Sequence, residues 1–439
     1  MTKKESPSNP ALYSWRGKLP LLQLLPLALQ HVLAMVVGCV TPAIVVSGVA
    51  GLSQADSVIL IQSSLLMAAI ATVIQIFPAF RWFGSGLPVI IGVSFSYLPA
   101  LTAIAGQYPL STVFGAQIIG GIAAILVGAF MKPLRQFFPP LVSGIVVFTI
   151  GLSLYPTAIN YMAGGVGAKD YGSWQNWLVA FFTLTIVTVL NHYGKGIVKT
   201  ASILFGMVIG YVFASFFGMT SLQSVANASL IQLPQPLHFG IQFEASSAII
   251  ISVLFVINAI QAIGDFSAVT IGGYDREPVD QELQGGIIAN GAAGLIGALI
   301  GGLPTATYSQ NVGIVSTTKV VNRSVFGLSS AIILLAALMP KFSALLTTIP
   351  KSVLGGATIS VFAIIAMNGL KLIHTHPIDV RGTSVVGLSV ALGVGITSAS
   401  AALASFPPWV TTVFGKSPVV VATLVAIFLN ETLPGQKSR

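Results

Sequence analysis

Apolar runs long enough to cross a membrane follow one another along almost the whole sequence, and they constrain the fold more than any other feature. The hydrocarbon core of a bilayer is about 30 Å thick and requires roughly 20 apolar residues in a helix. Two shorter runs, 87–105 and 304–319, are predicted to be half-helices, so we expect fourteen membrane segments. The twelve full-length runs lie at 22–48, 56–78, 111–131, 139–156, 173–193, 197–218, 246–272, 284–301, 324–345, 351–369, 380–403 and 418–430.

The composition also indicates a multi-pass membrane protein. Only 7% of the 439 residues are charged, whereas a soluble globular domain carries about 25% charge. The single Cys39 excludes a disulfide framework and a cysteine-based metal site. We attribute the net charge of +9 to cytoplasmic loops, which collect Lys and Arg, rather than to a nucleic-acid partner. We therefore expect the lipid bilayer as surroundings, with no nucleic acid, no metal and no cofactor.

The distribution of Lys and Arg predicts the orientation of the chain. With a cytoplasmic N-terminus and fourteen crossings, sixteen of the twenty basic residues fall on the cytoplasmic side, as the positive-inside rule requires. We therefore expect both termini on the cytoplasmic side of the cell membrane. The predicted outer residues are Lys169, Lys341, Lys351 and Lys416. The predicted inner residues are Lys3, Lys4, Arg16, Lys18, Arg81, Lys132, Arg135, Lys195, Lys199, Arg276, Lys319, Arg323, Lys371, Arg381, Lys437 and Arg439.

Two short motifs recur in the second half of the chain and indicate an internal repeat. The sequence VFG at 113–115 returns at 325–327, and residues 138–144 resemble residues 349–355. The first copy of the second motif follows a predicted inner loop and the other follows a predicted outer loop, so the two halves have opposite orientation. This pattern is typical of the inverted repeat of a secondary transporter. Chance similarity in Gly- and Val-rich sequence is the alternative.

The two half-helix segments occupy corresponding positions of the two halves, which is the best sequence indication of a transport site. Residues 87–93 have extended character, because Pro88 lacks an N–H group and several neighbours are β-branched. Residues 305–319 are polar within an apolar chain and begin just after Pro304. We expect a short strand from each segment to cross the other antiparallel at mid-membrane. Two helix N-termini would then face one cavity.

Asp265 lies deep in a predicted membrane segment, whereas the other ten acidic residues lie in loops, tails or segment ends. A carboxylate at membrane depth indicates function by default. Two interpretations remain open, which are proton handling and a hydrogen bond between helices that fixes the core. Gln261 lies four residues earlier, on the same helix face, where it can bind substrate or pack between helices.

His31 lies well inside a predicted segment. We expect a hydrogen-bonded structural role for it rather than proton transfer, since buried neutral histidines more often serve in that way. Gly38 lies seven residues further on, two helical turns along the same face. Its missing side chain is predicted to leave room for a flat ligand.

Polar residues open each predicted half-helix, Gln310 and Asn311 in the second and Ser94 before Phe95 in the first. A carboxamide offers one acceptor and two donors, which suit the imide or lactam edge of a heterocycle. We therefore predict that Gln310 orients the substrate and that Phe95 stacks on its ring.

Several of these motifs resemble those of the nucleobase–ascorbate transporters, also called the nucleobase–cation symporter 2 family of xanthine and uracil permeases. Together the motifs span residues 30 to 323, and the hydropathy pattern covers the whole chain. They are Gln310-Asn311-x-Gly313 followed by Thr318-Lys319, Gln30-His31, Gly264-Asp265, and Gly86-x-Pro88 with Ser94-Phe95.

The resemblance implies a fold of seven plus seven inverted segments and a homodimer. After a cytoplasmic segment at 1–20, it implies a core domain from 21–131 and 246–345. It also implies a gate domain from 132–218 and 346–434. We accordingly predict an all-α polytopic membrane protein in which short crossing strands precede the half-helices.

The resemblance also implies proton-coupled uptake of a nucleobase, and we predict an elevator-type mechanism. In having Gln at position 310, the chain is similar to xanthine and urate transporters of the family, whereas uracil transporters tend to have Glu there. Xanthine or uric acid is therefore the predicted substrate. One departure matters, because the family usually has Glu where this chain has Gln261. Uracil or another base, and sodium coupling or none, are therefore alternatives. The predicted substrate-binding residues are Gln310, Gln261, Phe95, Ser94, Gly38 and Asn311, with Asp265 and His31 as coupling or structural polar groups.

Two rival classes follow from the same segments. An anion transporter of the sulfate or bicarbonate type resembles the same fold, but such chains tend to carry a basic residue near the half-helices. A membrane-embedded enzyme would need a second buried acid, a metal cluster or an activated nucleophile. Because Asp265 and His31 are the deep ionisable groups, we predict that the chain is not an enzyme.

Overall fold

The computed structural model describes residues 10–80, 82–131, 139–375, 378–415 and 417–434. Some predictions fall outside these ranges, including those for the first nine residues and for Phe138 of the repeated motif. The predicted positions of eight basic residues also fall outside them, namely Lys3, Lys4, Arg81, Lys132, Arg135, Lys416, Lys437 and Arg439.

Helices make up most of the described chain. The first half contains α1 (Leu21–Val49), α2 (Gln54–Ile76), α3 (Leu98–Ala105), α4 (Leu110–Ala129), α5 (Pro140–Met162), α6 (Trp174–Tyr193), α7 (Ile197–Thr200) and α8 (Ser202–Ser215). The second half contains α9 (Gln223–Asn227), α10 (Ala245–Tyr274), α11 (Asp280–Ile300), α12 (Ser309–Thr318), α13 (Arg323–Ala337), α14 (Pro340–Thr347), α15 (Lys351–Ile373), α16 (Val380–Ser398), α17 (Pro408–Val413) and α18 (Pro418–Thr432). Short 3-10 turns lie at Pro10–Tyr13, Phe95–Tyr97 and Ser400–Leu403.

Eight helices of the described chain are long and apolar enough to cross a membrane, or nine if the bent pair α13 and α14 is one span. The count of fourteen segments stays a prediction. The predicted segment at 324–345 is bent rather than straight, because α13 and α14 meet at an angle of 77°, and whether the pair forms one span stays a prediction. Pro340 is the first residue of α14, and a proline ring inside a continuous helix would clash with the preceding turn.

Polar side chains mark the starts of several helices. Ser53 precedes α2, and its hydroxyl accepts the backbone N–H of Asp56 at 3.1 Å. Asn322 precedes α13, and its side-chain oxygen accepts the N–H of Ser324 at 2.9 Å. The first N–H groups of a helix lack intrahelical partners, so such caps define where the apolar runs become helical.

The helices pack as two groups. In one group, α4 packs against α10 and α11, and α2 packs against α1 and α13. In the other, α15 packs against α5 and α6, while α16 and α18 pack against each other and α5. The first group comes from the ranges predicted for the core domain and the second from those predicted for the gate domain. That the two groups move as separate bodies stays a prediction.

Two short strands lie among the helices of the first group. β1 (Ile91–Val93) and β2 (Thr305–Thr307) pair antiparallel, with Ile91 opposite Thr307. The Thr72 hydroxyl, from α2, accepts the N–H of Ile91 at 2.9 Å and donates to its carbonyl at 3.1 Å. Irregular backbone at membrane depth requires such partners. The 3-10 turn and α3 follow β1, and α12 follows β2, so both short helices begin beside the crossing.

Candidate functional site

A cavity of about 710 Å³ lies between the two groups of helices. This volume is within the range of about 300–1,000 Å³ that small-molecule sites occupy. One wall of the cavity comes from α5 and α15 and includes Pro140, Val146, Ile364, Asn368 and Lys371. On the side of the crossing strands, its wall includes Val93, Ser94, Phe95, Ser96, Gln261, Gly264, Asp265, Thr307, Ser309, Gln310, Gly313 and Ser316.

Gln310 is the second residue of α12 and its side chain is exposed within this cavity. Within the described part of the chain, its carboxamide has no hydrogen-bond partner in the protein. The amide is therefore available to a molecule in the cavity, in the position that the sequence predicted. The positive end of the α12 dipole points toward the same space.

Gln261 reaches the cavity from α10 and meets the start of the first half-helix. The Ser96 hydroxyl donates a hydrogen bond to Gln261 Oε1 at 3.3 Å. The N–H of Ser96 is itself bound by the Ser94 hydroxyl at 3.1 Å, which caps the 3-10 turn. This chain of contacts links α10 to the β1 crossing. Gln261 thus lines the cavity and also joins two elements.

Asp265 lies one turn beyond Gln261 and is largely buried. The Ser309 hydroxyl donates to Asp265 Oδ1 at 2.8 Å, and the Thr307 hydroxyl donates to Oδ2. Thr307 belongs to β2 and Ser309 begins α12. The carboxylate therefore joins α10 to the second crossing strand and to the half-helix that carries Gln310. A hydrogen bond that fixes the core, one of the two open interpretations, has direct geometric support.

Asn311 is not among the residues that line the cavity, so this geometry does not support its predicted substrate contact, which stays a prediction. Its side chain is buried and turns toward α1, where Nδ2 donates to the carbonyl oxygen and to Nδ1 of His31, both at 3.0 Å. Asn311 and Gln310 are neighbours in a helix, so their side chains point in different directions. His31 is also buried and packs on the Phe326 ring, with the centroids 4.7 Å apart. This is the hydrogen-bonded setting expected for it.

Gly38 is likewise not a cavity residue, and the space beside it is filled by Tyr308. A Cβ atom at Gly38 would lie 2.8 Å from Tyr308 Cε1, and one at Gly92 would lie 2.6 Å from Tyr308 Cε2. The Tyr308 hydroxyl donates to the Val93 carbonyl at 2.5 Å. The missing side chain of Gly38 thus makes room for a tyrosine of this chain, and the predicted space for a flat ligand is wrong at this position.

Phe95 and Ser94 both line the cavity. The Phe95 ring is largely buried and meets Phe362 edge to face, with the centroids 5.1 Å apart. Phe362 belongs to α15, so this pair joins the two helix groups beside the cavity. Stacking of Phe95 on a substrate ring stays a prediction.

Sequence reasoning missed Thr72, Thr307, Tyr308 and Ser309, which hold the crossing together, and it gave no site role to Ser96. A hydroxyl residue in a membrane segment is common and carries little information by itself. One signal was present, since Thr305, Thr307 and Ser309 alternate with apolar or aromatic residues in the pattern of a strand.

The sequence of the chain decides its family. Residues 22–401 match the model of the xanthine/uracil permeases, described as a permease family. The chain is 34% identical over 409 residues to the xanthine permease of Bacillus subtilis (strain 168), covering 92% of each protein. This chain belongs to the nucleobase–ascorbate transporter family. It is also 34% identical to the uric acid permease PucK of the same organism, over 93% of this chain and 95% of that one.

Membership of the nucleobase–ascorbate transporter family confirms the prediction of a multi-pass membrane transporter rather than an enzyme. The fold has a structural counterpart in the transmembrane domain of a cyanobacterial bicarbonate transporter, BicA. The two align with a TM-score of 0.60, covering 94% of this chain and all of that one at 16% identity. This likeness shows that the fold is shared and confirms the predicted class of helical membrane protein.

Proposed function

We propose that this nucleobase–ascorbate transporter imports a purine base, xanthine or uric acid, through the cavity described above. One observation carries the proposal, namely that two carboxamides, Gln310 and Gln261, line a cavity at the openings of two half-helices. Amides can match both the donors and the acceptors along the edge of an oxopurine. The relatives named for xanthine and uric acid support the choice of these two bases.

The walls of the cavity suit a flat, partly apolar ring. Phe95, Val93 and Val146 provide apolar surface, and the polar groups concentrate on the side of Gln261 and Gln310. Ligand sites of this kind combine an apolar lining with a few polar groups that set the orientation. A purine fits this division, because its faces are apolar and its edges carry the polar atoms.

We propose that a proton drives the transport and that Asp265 carries it. As a carboxylate, Asp265 accepts from both the Thr307 and the Ser309 hydroxyls. A protonated carboxyl group gains a donor at one oxygen and keeps only part of its acceptor capacity, so protonation would weaken or rearrange these two contacts. Proton binding would then be linked to the position of α12 and of Gln310. Sodium coupling is the alternative, and uptake measured in sodium-free buffer distinguishes the two.

We further propose an elevator-type movement of the first helix group against the second. The cavity extends from Gln310 to Ser316 on α12 and to Lys371 at the end of α15. If Lys371 is cytoplasmic, as the charge distribution predicts, the cavity opens inward. The proposed assembly is a homodimer in the cell membrane with cytoplasmic termini.

The experiment is uptake of labelled xanthine in cells that express this chain, with competition by a panel of unlabelled compounds. The panel contains uric acid, xanthine, guanine, hypoxanthine and uracil, together with bicarbonate and sulfate for the anion alternative. Competition confined to oxopurines supports the proposal. Competition by uracil or by the anions that is as strong as competition by the oxopurines would overturn it, and so would the absence of uptake of both labelled xanthine and labelled uric acid.

A further inference from the structure

We propose that Ser96 fixes the orientation of the Gln261 amide, so that the site presents a hydrogen-bond donor there and selects a purine edge that carries an acceptor. Ser96 is thus a positioning residue for substrate selection. This inference rests on the proposed purine transport and adds the chemical identity of the edge that Gln261 recognises.

Among the described residues, the Ser96 hydroxyl has one hydrogen-bond partner, which is Gln261. The residue lies in the 3-10 turn Phe95–Tyr97 and is 9% exposed, and its backbone N–H is held by the Ser94 hydroxyl. Its side chain carries one proton, which it donates to Gln261 Oε1 at 3.3 Å. The turn is anchored by the β1 crossing, so the donor is held in place by backbone.

This contact determines what Gln261 can offer a ligand. Oε1 is engaged by Ser96, and among the described residues Nε2 has no acceptor. Gln261 lines the cavity, so Nε2 is the atom left for the substrate. An amide nitrogen donates and does not accept, and its natural partner is a carbonyl oxygen or an unprotonated ring nitrogen.

The surrounding groups that the structure describes do not provide Nε2 with another partner. Asp265, one turn along α10, is engaged by Thr307 and Ser309. Lys371, on the opposite wall, is a donor. Gln310 offers a second amide, whose orientation is not fixed by the described protein. The fixed part of the recognition is therefore the donor of Gln261.

The two ends of a carboxamide have nearly the same shape, and only hydrogen bonds set which end faces the ligand. Without the Ser96 hydroxyl, the Gln261 amide can turn over and present Oε1. The variant Ser96→Ala would then accept an amino group where the wild type requires a carbonyl. The effect is a loss of discrimination rather than a loss of transport.

Xanthine, guanine and isoguanine provide the test, since guanine has an amino group in place of one xanthine carbonyl and isoguanine in place of the other. Inhibition constants of the three bases are measured against labelled xanthine or uric acid, whichever the wild type transports. We expect the wild type to discriminate against at least one amino analogue. Ser96→Ala should reduce that discrimination about fivefold, the value of one ordinary hydrogen bond. Ser96→Thr, which keeps the hydroxyl, should retain it.

Two further variants complete the design. Gln261→Glu presents acceptors only and should shift the preference toward the amino analogue. Ser330→Ala is the matched control, because Ser330 is a buried helical serine whose hydroxyl donates to the Phe326 carbonyl at 3.0 Å, away from the cavity. It should leave the ratios unchanged. If Ser96→Ala does not reach the membrane, the same inhibition constants are measured for Ser96→Cys, whose thiol is a weak donor of similar size.

The outcomes separate this inference from the proposed function. If the wild type transports no purine base, the proposed function fails. If it transports purines but Ser96→Ala has the wild-type preference ratios, or Ser96→Thr behaves like Ser96→Ala, the assignment of Ser96 is overturned. A wild type that accepts all three bases equally would also overturn it.

Discussion

Ser309 donates a 2.8 Å hydrogen bond to Asp265, and this contact joins the first residue of α12 to the middle of α10. Gln310 is the next residue, so the carboxylate sets the position of the proposed substrate-orienting amide. The Thr307 hydroxyl adds a second contact from β2 to the same carboxylate. The Asp265 carboxyl group, which can bind a proton, thus contacts the residue next to Gln310, which is proposed to bind substrate. This contact is the physical basis for the proposed coupling.

The first prediction concerns Asp265. Asp265→Asn cannot titrate but keeps an oxygen and a nitrogen for hydrogen bonds, so it should weaken proton-driven accumulation and leave some substrate exchange. The measurement is uptake with and without a protonophore. Ser309→Ala is the control that removes one contact and keeps the carboxyl group, and its uptake should remain protonophore-sensitive. If Asp265→Asn still accumulates substrate against its concentration gradient in a protonophore-sensitive manner, Asp265 has a purely structural role.

The second prediction concerns Gln310. Gln310→Ala removes the exposed amide from the cavity, leaves polar atoms of the substrate without partners, and should weaken apparent affinity roughly 5- to 150-fold. Membrane expression and the unfolding temperature should stay near wild type, because the side chain has no partner among the described residues. Uptake kinetics are measured alongside thermal unfolding in detergent. Unchanged kinetics would exclude Gln310 from the site.

The third prediction separates Asn311 from its neighbour. Asn311→Ala removes both contacts to His31, and we expect a loss of about 1–3 kcal/mol in stability because a buried polar group loses its partner. The preference among bases should remain that of the wild type in whatever protein folds. His31→Asn, which retains hydrogen bonding, should be tolerated better than His31→Ala. A changed base preference in Asn311→Ala with normal stability would show that Asn311 contacts substrate after all.

The sequence predicted some parts of the site and not others, because some positions depend on local sequence and others on distant contacts. Hydropathy and prolines were sufficient for the two half-helices, because irregular polar backbone in an apolar chain has few explanations. They were not sufficient for Asn311 or Gly38, since which face of a short polar helix meets the cavity depends on neighbours far along the chain. Tyr308 fills the space at Gly38, and the Asn311 side chain donates hydrogen bonds to His31. The local sequence around Gly38 or Asn311 does not indicate either contact.

The fourth prediction concerns Gly38 and Tyr308. In an exposed helix interior, Ala instead of Gly stabilises by up to about 1 kcal/mol. Here the new Cβ would lie 2.8 Å from the Tyr308 ring, which Gly92 confines on its other edge. Overpacking of this kind costs about 1–3 kcal/mol, so Gly38→Ala should lower the unfolding temperature.

The matched control is Gly387→Ala in α16, where a Cβ atom would meet nothing within 4 Å. It should unfold at the wild-type temperature or slightly above it. Thermal unfolding of the two purified variants provides the comparison. Equal stability of Gly38→Ala and Gly387→Ala would mean that the Tyr308 ring moves aside easily.

The fifth prediction uses two glycines with equally open surroundings. A Cβ atom at Gly313, on the cavity wall, meets nothing within 4 Å, and the same holds at Gly387. Gly313→Leu should therefore fold and place its side chain in the cavity, where it blocks uptake. Gly387→Leu should fold and transport normally. Equal uptake by both variants, at equal expression, would show that the substrate does not use this cavity.

Transport by the purified protein in liposomes tests the central claim most directly. With an imposed inward proton gradient, labelled xanthine or uric acid should accumulate above the external concentration, and a protonophore should abolish the accumulation. The same vesicles bearing Gln310→Ala should show little uptake at the same substrate concentration. Failure of the wild-type vesicles to take up any purine base, with or without a gradient, would contradict the account.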